Sequence, residues 1–211
     1  MSGPAAPGVA ANKKSFIASE RKEQQRSAFR QEGAEWKVDD FVFVAAMGIP
    51  LDLARTYGRA APGARVVETK PSTRGANLSV LGALGADGVR AAMSLPGAID
   101  GDACLVFTPQ VLVPCLHPGN IVFMDHGPTP KMAAITDAIT AGGARGKFLP
   151  PYAPDFSPIA HCGSKIKTFL RGVAARTQPA LDAALSKALA TITRDDIEGL
   201  FTHCGYRAAL K

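Results

Sequence analysis

Apolar residues run along this chain in two rhythms. Phe41-Val42-Phe43-Val44 is an unbroken apolar stretch, the pattern of a strand buried on both faces. Strand-like runs follow at 76–84 and 89–94, parted by Ala86-Asp87-Gly88, whose Asp-Gly pair signals a hairpin turn. Residues 120–124 form a further strand, and Lys147-Phe148-Leu149 a short fifth. The helical rhythm appears first in the charge-rich segment opened by Ser19-Glu20-Arg21-Lys22-Glu23 and running through Trp36. It returns at 100–116, closed by Pro118-Gly119, and at 131–141, ended by Gly142-Gly143. Three more helices are expected at 159–174, 178–191 and 194–203.

A three-strand meander followed by alternating strands and helices predicts an α/β domain, a mixed five-stranded sheet flanked by helices, as in the ribonuclease H architecture. Residues 1–12 read as a flexible Ala/Gly/Pro lead, 13–40 as a charged helical segment and 41–211 as the domain itself. At 211 residues with 46% apolar content, the chain can bury a sizeable core.

Charge adds a partner class. Twenty-four Lys and Arg against 18 Asp and Glu give +6, which favours an anionic partner such as nucleic acid. No segment has the length of a membrane span, and no secretory signal opens the chain. Cys104, Cys115, Cys162 and Cys204 lack CxxC spacing, so neither a disulfide framework nor a zinc ribbon is expected, and a cytoplasmic, nucleoid-associated location fits. The dipeptides His161-Cys162 and His203-Cys204 read as ordinary helix positions, because no further ligand lies at zinc spacing.

The most informative run is Leu149-Pro150-Pro151-Tyr152-Ala153-Pro154-Asp155-Phe156-Ser157-Pro158-Ile159, a rigid turn leading into a basic helix. Upstream, Val122-Phe123-Met124-Asp125 lifts a carboxylate to the end of a buried strand. With Phe41-Val42-Phe43-Val44, Arg55-Thr56-Tyr57-Gly58-Arg59-Ala60 and Phe201-Thr202-His203-Cys204-Gly205-Tyr206, these motifs resemble the DDE transposases of bacterial insertion sequences. The match is to the insertion-sequence-630 group of the mariner superfamily, over residues 13–206.

That resemblance implies a ribonuclease H-like catalytic domain in which three acids hold two Mg²⁺ ions, one activating the attacking water or 3′-hydroxyl and the other stabilising the leaving oxygen. It also exposes departures. The family's Asp-Glu pair at the end of the first strand is Ala45-Ala46, and the glutamate after the turn is Ala160. Asp125 is the retained acid, and the 34 residues between it and Ala160 match the family's own interval. The Asn after the second Asp is His126, and the His-Lys closing that motif is Pro130-Lys131.

Alanine offers a metal no oxygen, so Mg²⁺ binding at Asp125 is expected to be weak or lost and cleavage with it. Asp39, Asp40, Asp52 and Asp155 lie off the required positions, and His126 and His161 are poor ligands for a hard cation. Asp155 is read as shaping the turn by bonding backbone amides. Lys131, Lys165, Lys167 and Arg171 are candidate DNA contacts, a solvated helix face being the alternative for the last three. Lys13, Lys14, Arg21, Lys22, Arg26 and Arg30 stand equally between DNA contacts and an ordinary charged helix.

The first 40 residues hold no helix-turn-helix pair of the sort such transposases use to read transposon ends, so any DNA binding is expected to be weak and non-specific. The expectation is therefore a transposase-family domain without activity. The alternative is a non-catalytic DNA-binding or dimerising regulator, pairing with itself or with an intact relative.

Overall fold

The computed structural model describes residues 18–69, 71, 77–126 and 129–206. Five strands, β1 (Phe41–Pro50), β2 (Asn77–Gly85), β3 (Gly88–Pro96), β4 (Ile121–Met124) and β5 (Arg145–Phe148), form one sheet in the order β3-β2-β1-β4-β5. The first three pair antiparallel, while β1–β4 and β4–β5 are parallel. Among the described residues six α-helices accompany them: α1 (Glu23–Gly33), α2 (Gly101–Phe107), α3 (Thr129–Ala141), α4 (Pro158–Val173), α5 (Gln178–Ala190) and α6 (Arg194–His203). This is the mixed sheet flanked by helices expected from the sequence.

Side-chain alternation sorts the sheet into two cores. On one face Phe41 and Phe43 of β1, with Ile121 and Phe123 of β4, pack under α1, α4, α5 and α6. On the other, Val42, Val122 and Met124 pack against Phe107, Leu112, Ile135 and Ile139 of the α2–α3 side. Phe43 and Phe123 stack at 4.8 Å between centroids, the middle of an aromatic cluster that also takes in Phe41, Phe201 and Tyr206. Both rings are fully buried, so the first half of β1 and the end of β4 are fixed side by side.

Two elements depart from the sequence reading. The first strand does not stop at Val44. It continues through Ala45 to Pro50, paired with 77–85, because the antiparallel partner completes its ladder regardless of the weak strand propensity of Ala-Ala-Met-Gly. The helix expected over 100–116 is α2 followed by a π turn (Thr108–Leu112) and a 3-10 turn (Val113–Cys115). Pro109 and Pro114 lack the amide hydrogens a continuous α-helix needs. The Asp87-Gly88 hairpin forms as expected, with Gly88 at φ 138° where a side chain would be strained.

Candidate functional site: a cleft beside the middle of β1 and the end of β4

Register brings the first two motif positions together. Phe41 pairs with Ile121 and Phe43 with Phe123, and just past the end of that ladder Ala45 and Asp125 line the same cleft. Both share the alternation of the phenylalanines and so face the α4 side of the sheet. The third position arrives from the proline turn. Ser157 precedes α4, Pro158 fills its first position where a missing amide hydrogen costs nothing, and Ala160 lies in the first turn. Helix α4 sits close on the sheet: a Cβ on Gly163 would lie 3.3 Å from the Met47 sulfur of β1, and one on Gly82 would lie 3.6 Å from Ile159.

Ala45, Ala46, Asp125 and Ala160 all line one cleft of about 750 Å³. Its walls come from β1, β2, the turn and α4, including Tyr152, Ser157, Ser164 and Lys167. Asp125 and Lys167 carry the formal charges among the described residues lining it. Removal of water by the cleft walls raises the Asp125 carboxyl above its ordinary value, against a smaller downward pull from His126. The His126 ring itself stacks on Phe148 at 4.9 Å.

The turn is held from two distant parts of the chain. Arg26 of α1, fully buried, donates from Nη1 to Asp155 Oδ1 at 3.0 Å and from Nη2 to Asp155 Oδ2, and its guanidinium lies 4.2 Å over the Phe156 ring. Tyr206 donates its hydroxyl to the Phe156 carbonyl at 2.8 Å. Burial would raise the Asp155 carboxyl, but the hydrogen bonds and charge of Arg26 outweigh it and hold the group below its usual value. Two readings are thereby corrected. Asp155 shapes the turn chiefly through a side-chain ion pair rather than through backbone amides, and Arg26 is an internal clamp rather than a DNA contact or a solvated charge. A charge-rich helix hides such a residue, and only a partner 129 positions away reveals it.

The candidate DNA contacts divide. Along α4 the spacing of Ala160, Ser164, Lys167 and Arg171 puts them on one stripe, so Lys167 and Arg171 continue from the third motif position. Lys165 lies on a different face, its ammonium on the Asp196 carboxylate at the start of α6. That contact and the Thr193 capping bonds hold Asp196 down to about 2. Lys131 pairs with Asp102 at 3.1 Å, joining α3 to α2. Lys13 and Lys14 lie outside the described residues.

The two His-Cys dipeptides meet: the rings of His161 and His203 stand 4.8 Å apart, edge to face, between α4 and α6. Burial and the neighbouring His203 lower His161, Asp155 opposing, and burial pushes the Cys162 and Cys204 thiols up to about 11. Protonated thiols are poor metal ligands. Among the described residues no three His, Cys, Asp or Glu are grouped to hold a metal ion. A pair of hard divalent ions needs several converging oxygens, and the cleft offers the carboxylate of Asp125 beside two alanines. The residues present do not make up a two-ion set.

A carboxyl raised by loss of water costs the fold stability at neutral pH. Asp125 is raised when folded, so it favours the native state below its unfolded value near 3.8 and costs stability as pH rises through the higher folded value. Asp125→Asn is expected to raise Tm at pH 7 slightly, the effect kept small because the residue is solvent-exposed, with the gain vanishing in melts recorded well below pH 3.8. A lower Tm at pH 7 would show Asp125 held by favourable bonds instead.

Comparison with known proteins agrees with this geometry. Residues 40–182, more than half of the chain, match the family model of the DDE superfamily endonucleases, and the chain belongs to that family. Among solved structures it is similar to the mariner transposase Mos1. The Mos1 paired-end complex with Mn superposes with a TM-score of 0.66 at 15% identity, covering 94% of this chain and 66% of that one. The Mos1 strand transfer complex gives 0.68 at 13%, covering 94% and 64%. The Mos1 catalytic domain with Raltegravir and Mg gives 0.61 at 12%, covering 90% of this chain and 94% of that one. At these identities the likeness shows the fold, a ribonuclease H-like domain, and the chain spans about two-thirds of the longer Mos1 chains. No curated protein matches.

Proposed function

We propose that this chain is a transposase of insertion-sequence-630 type that binds DNA without cutting it. The observation that carries the reading is that alanines 45 and 160 line a cleft together with Asp125, the three positions at which the resemblance puts the family's acids. In this reading Asp125 is the surviving member of a three-acid set, able to attract a hydrated Mg²⁺ only weakly. Lys167 and Arg171 are its phosphate contacts, while Lys131 and Lys165 are paired with Asp102 and Asp196 and contribute less.

A role as a non-catalytic regulator, dimerising with itself or with an intact relative, is favoured over a bare remnant by the state of the scaffold. The turn keeps its Arg26 and Tyr206 anchors, and the aromatic core beneath the cleft is filled. Such a chain would occupy DNA or a partner without supplying chemistry.

Incubation with supercoiled plasmid in Mg²⁺ or Mn²⁺ tests this. The expected result is no nicking, together with plasmid retention on a gel that weakens steeply between 50 and ~200 mM salt. Metal-dependent nicking by the natural chain would contradict the proposal, as would affinity for DNA no different from that for an uncharged polymer.

A further inference from the structure

We propose that the loss of the acids turns the cleft into a metal-independent grip on a single DNA strand, with Lys167 and Arg171 on phosphates and Tyr152 against a base. The inference rests on the DNA-binding reading above and goes beyond it by naming the site, the strand form and the absence of a metal requirement.

Three observations carry it. The first is charge. An intact acid set at 45, 125 and 160 would place three carboxylates where a phosphodiester must lie, and only bound cations could make that tolerable. Here Asp125 stands with Ala45, Ala46 and Ala160, and Lys167 lines the same cleft. A carboxylate a few ångströms from a phosphate in a partly dry cleft weakens binding by roughly tenfold. Its replacement by alanine returns that factor without any metal.

The second observation is direction. The stripe Ala160, Ser164, Lys167 and Arg171 runs along α4 from the cleft, setting the two cations about a helical turn apart on a line a backbone can follow. Lys165, on another face, is committed to Asp196 and stays out of this line.

The third is Tyr152. It lines the cleft with 59% of its surface exposed, on a backbone at φ 56°, the left-handed region a bulky residue rarely enters. Arg26, through Asp155, and Tyr206, through the Phe156 carbonyl, hold the turn that imposes this conformation. An exposed aromatic face on the same cleft as Lys167 is the kind of stacking platform that single-stranded nucleic acid uses, whereas duplex bases offer no free face.

Fluorescence anisotropy with a labelled single-stranded oligonucleotide, and with the same sequence as a duplex, tests the proposal in EDTA and in Mg²⁺ at fixed salt. For the natural chain we expect the same Kd with and without Mg²⁺, within about twofold, and tighter binding to the single strand. Ala45→Asp with Ala160→Glu should weaken EDTA binding by about tenfold or more and recover it in Mg²⁺. Lys167→Ala and Tyr152→Ala, both at the surface, should each weaken single-strand binding about tenfold in EDTA, the lysine change also lowering the salt slope by about 1. If the natural chain binds but restored acids leave its EDTA affinity unchanged, DNA lies elsewhere and this inference fails while the DNA-binding reading stands. If the duplex binds as well as the single strand and Tyr152→Ala changes nothing, the grip on a single strand is wrong. If the natural chain binds neither probe, both readings fall.

Discussion

Ala45→Asp combined with Ala160→Glu is expected to give a chain that nicks supercoiled plasmid in Mn²⁺ at least ~10³-fold faster than the natural protein. Geometry is the reason for expecting so large a gain from two side chains. Just past the end of the parallel ladder position 45 and Asp125 line one cleft, and the proline turn brings position 160 to it. Both positions are alanine, so each new side chain extends from an existing Cβ into open cleft rather than into packed core. Three carboxylates would then line one cleft, the hard oxygen donors that a pair of divalent ions would require. Each single change should yield little, because a two-ion site acts as a unit and its members are not additive. Nicking would be non-specific, since the expected gain is chemistry and not sequence recognition. A double variant that folds, binds DNA and still fails to nick in Mn²⁺ would mean that the site has lost more than its acids.

Asp155→Ala is expected to lower Tm by about 5–10 °C, a loss of about 2–3 kcal/mol. The figure is set below that of a fully buried pair because Asp155 is half exposed, whereas Arg26 is completely covered. Truncating the aspartate strands a guanidinium that has Glu23 at 3.7 Å as its remaining carboxylate partner. Arg26→Met, which keeps the apolar stem over Phe156 and removes the charge, should cost less, about 1–2 kcal/mol. The double variant should be more stable than Asp155→Ala alone, the signature of a pair whose breakage is worse than its absence. Acid should act in the matching direction. Asp155 is lowered in the folded state, so its contribution is present above the usual aspartate range and drains away as pH falls through the lower folded value. Thermal melts of the four proteins at pH 7 and in acid would check both statements. Equal Tm values for Asp155→Ala and the natural chain would show that the turn stands without its clamp.

What the sequence made legible, and what it did not, follows from the range of the interactions involved. Phe41–Val44, the Asp87-Gly88 turn and Val122–Asp125 announce themselves because each is a short run whose own residues dictate its conformation. The proline turn was equally plain, and with it the place of Ala160. Ala45–Pro50 was read past because small residues, a glycine and a proline carry little strand propensity, and the pairing with 77–85 decides the matter. The break of α2 at Pro109 and Pro114 was written in the residues but masked by the apolar rhythm around them. Arg26 could not be singled out among six similar cations in the same segment, since its burial depends on a turn more than a hundred residues later. The same limit hid the division of the α4 cations: Lys165 faces α6 and Lys167 the cleft, a difference fixed by packing rather than by charge.

We propose above that this DDE endonuclease domain lacks the acids for a metal pair. Titration calorimetry of Mn²⁺ into the natural chain, beside the Ala45→Asp, Ala160→Glu variant, tests it most directly. No saturable heat is expected from the natural chain, and two-ion binding from the variant. Tight binding of two ions by the natural chain would contradict it, placing the ligands elsewhere and returning the protein to the active enzymes.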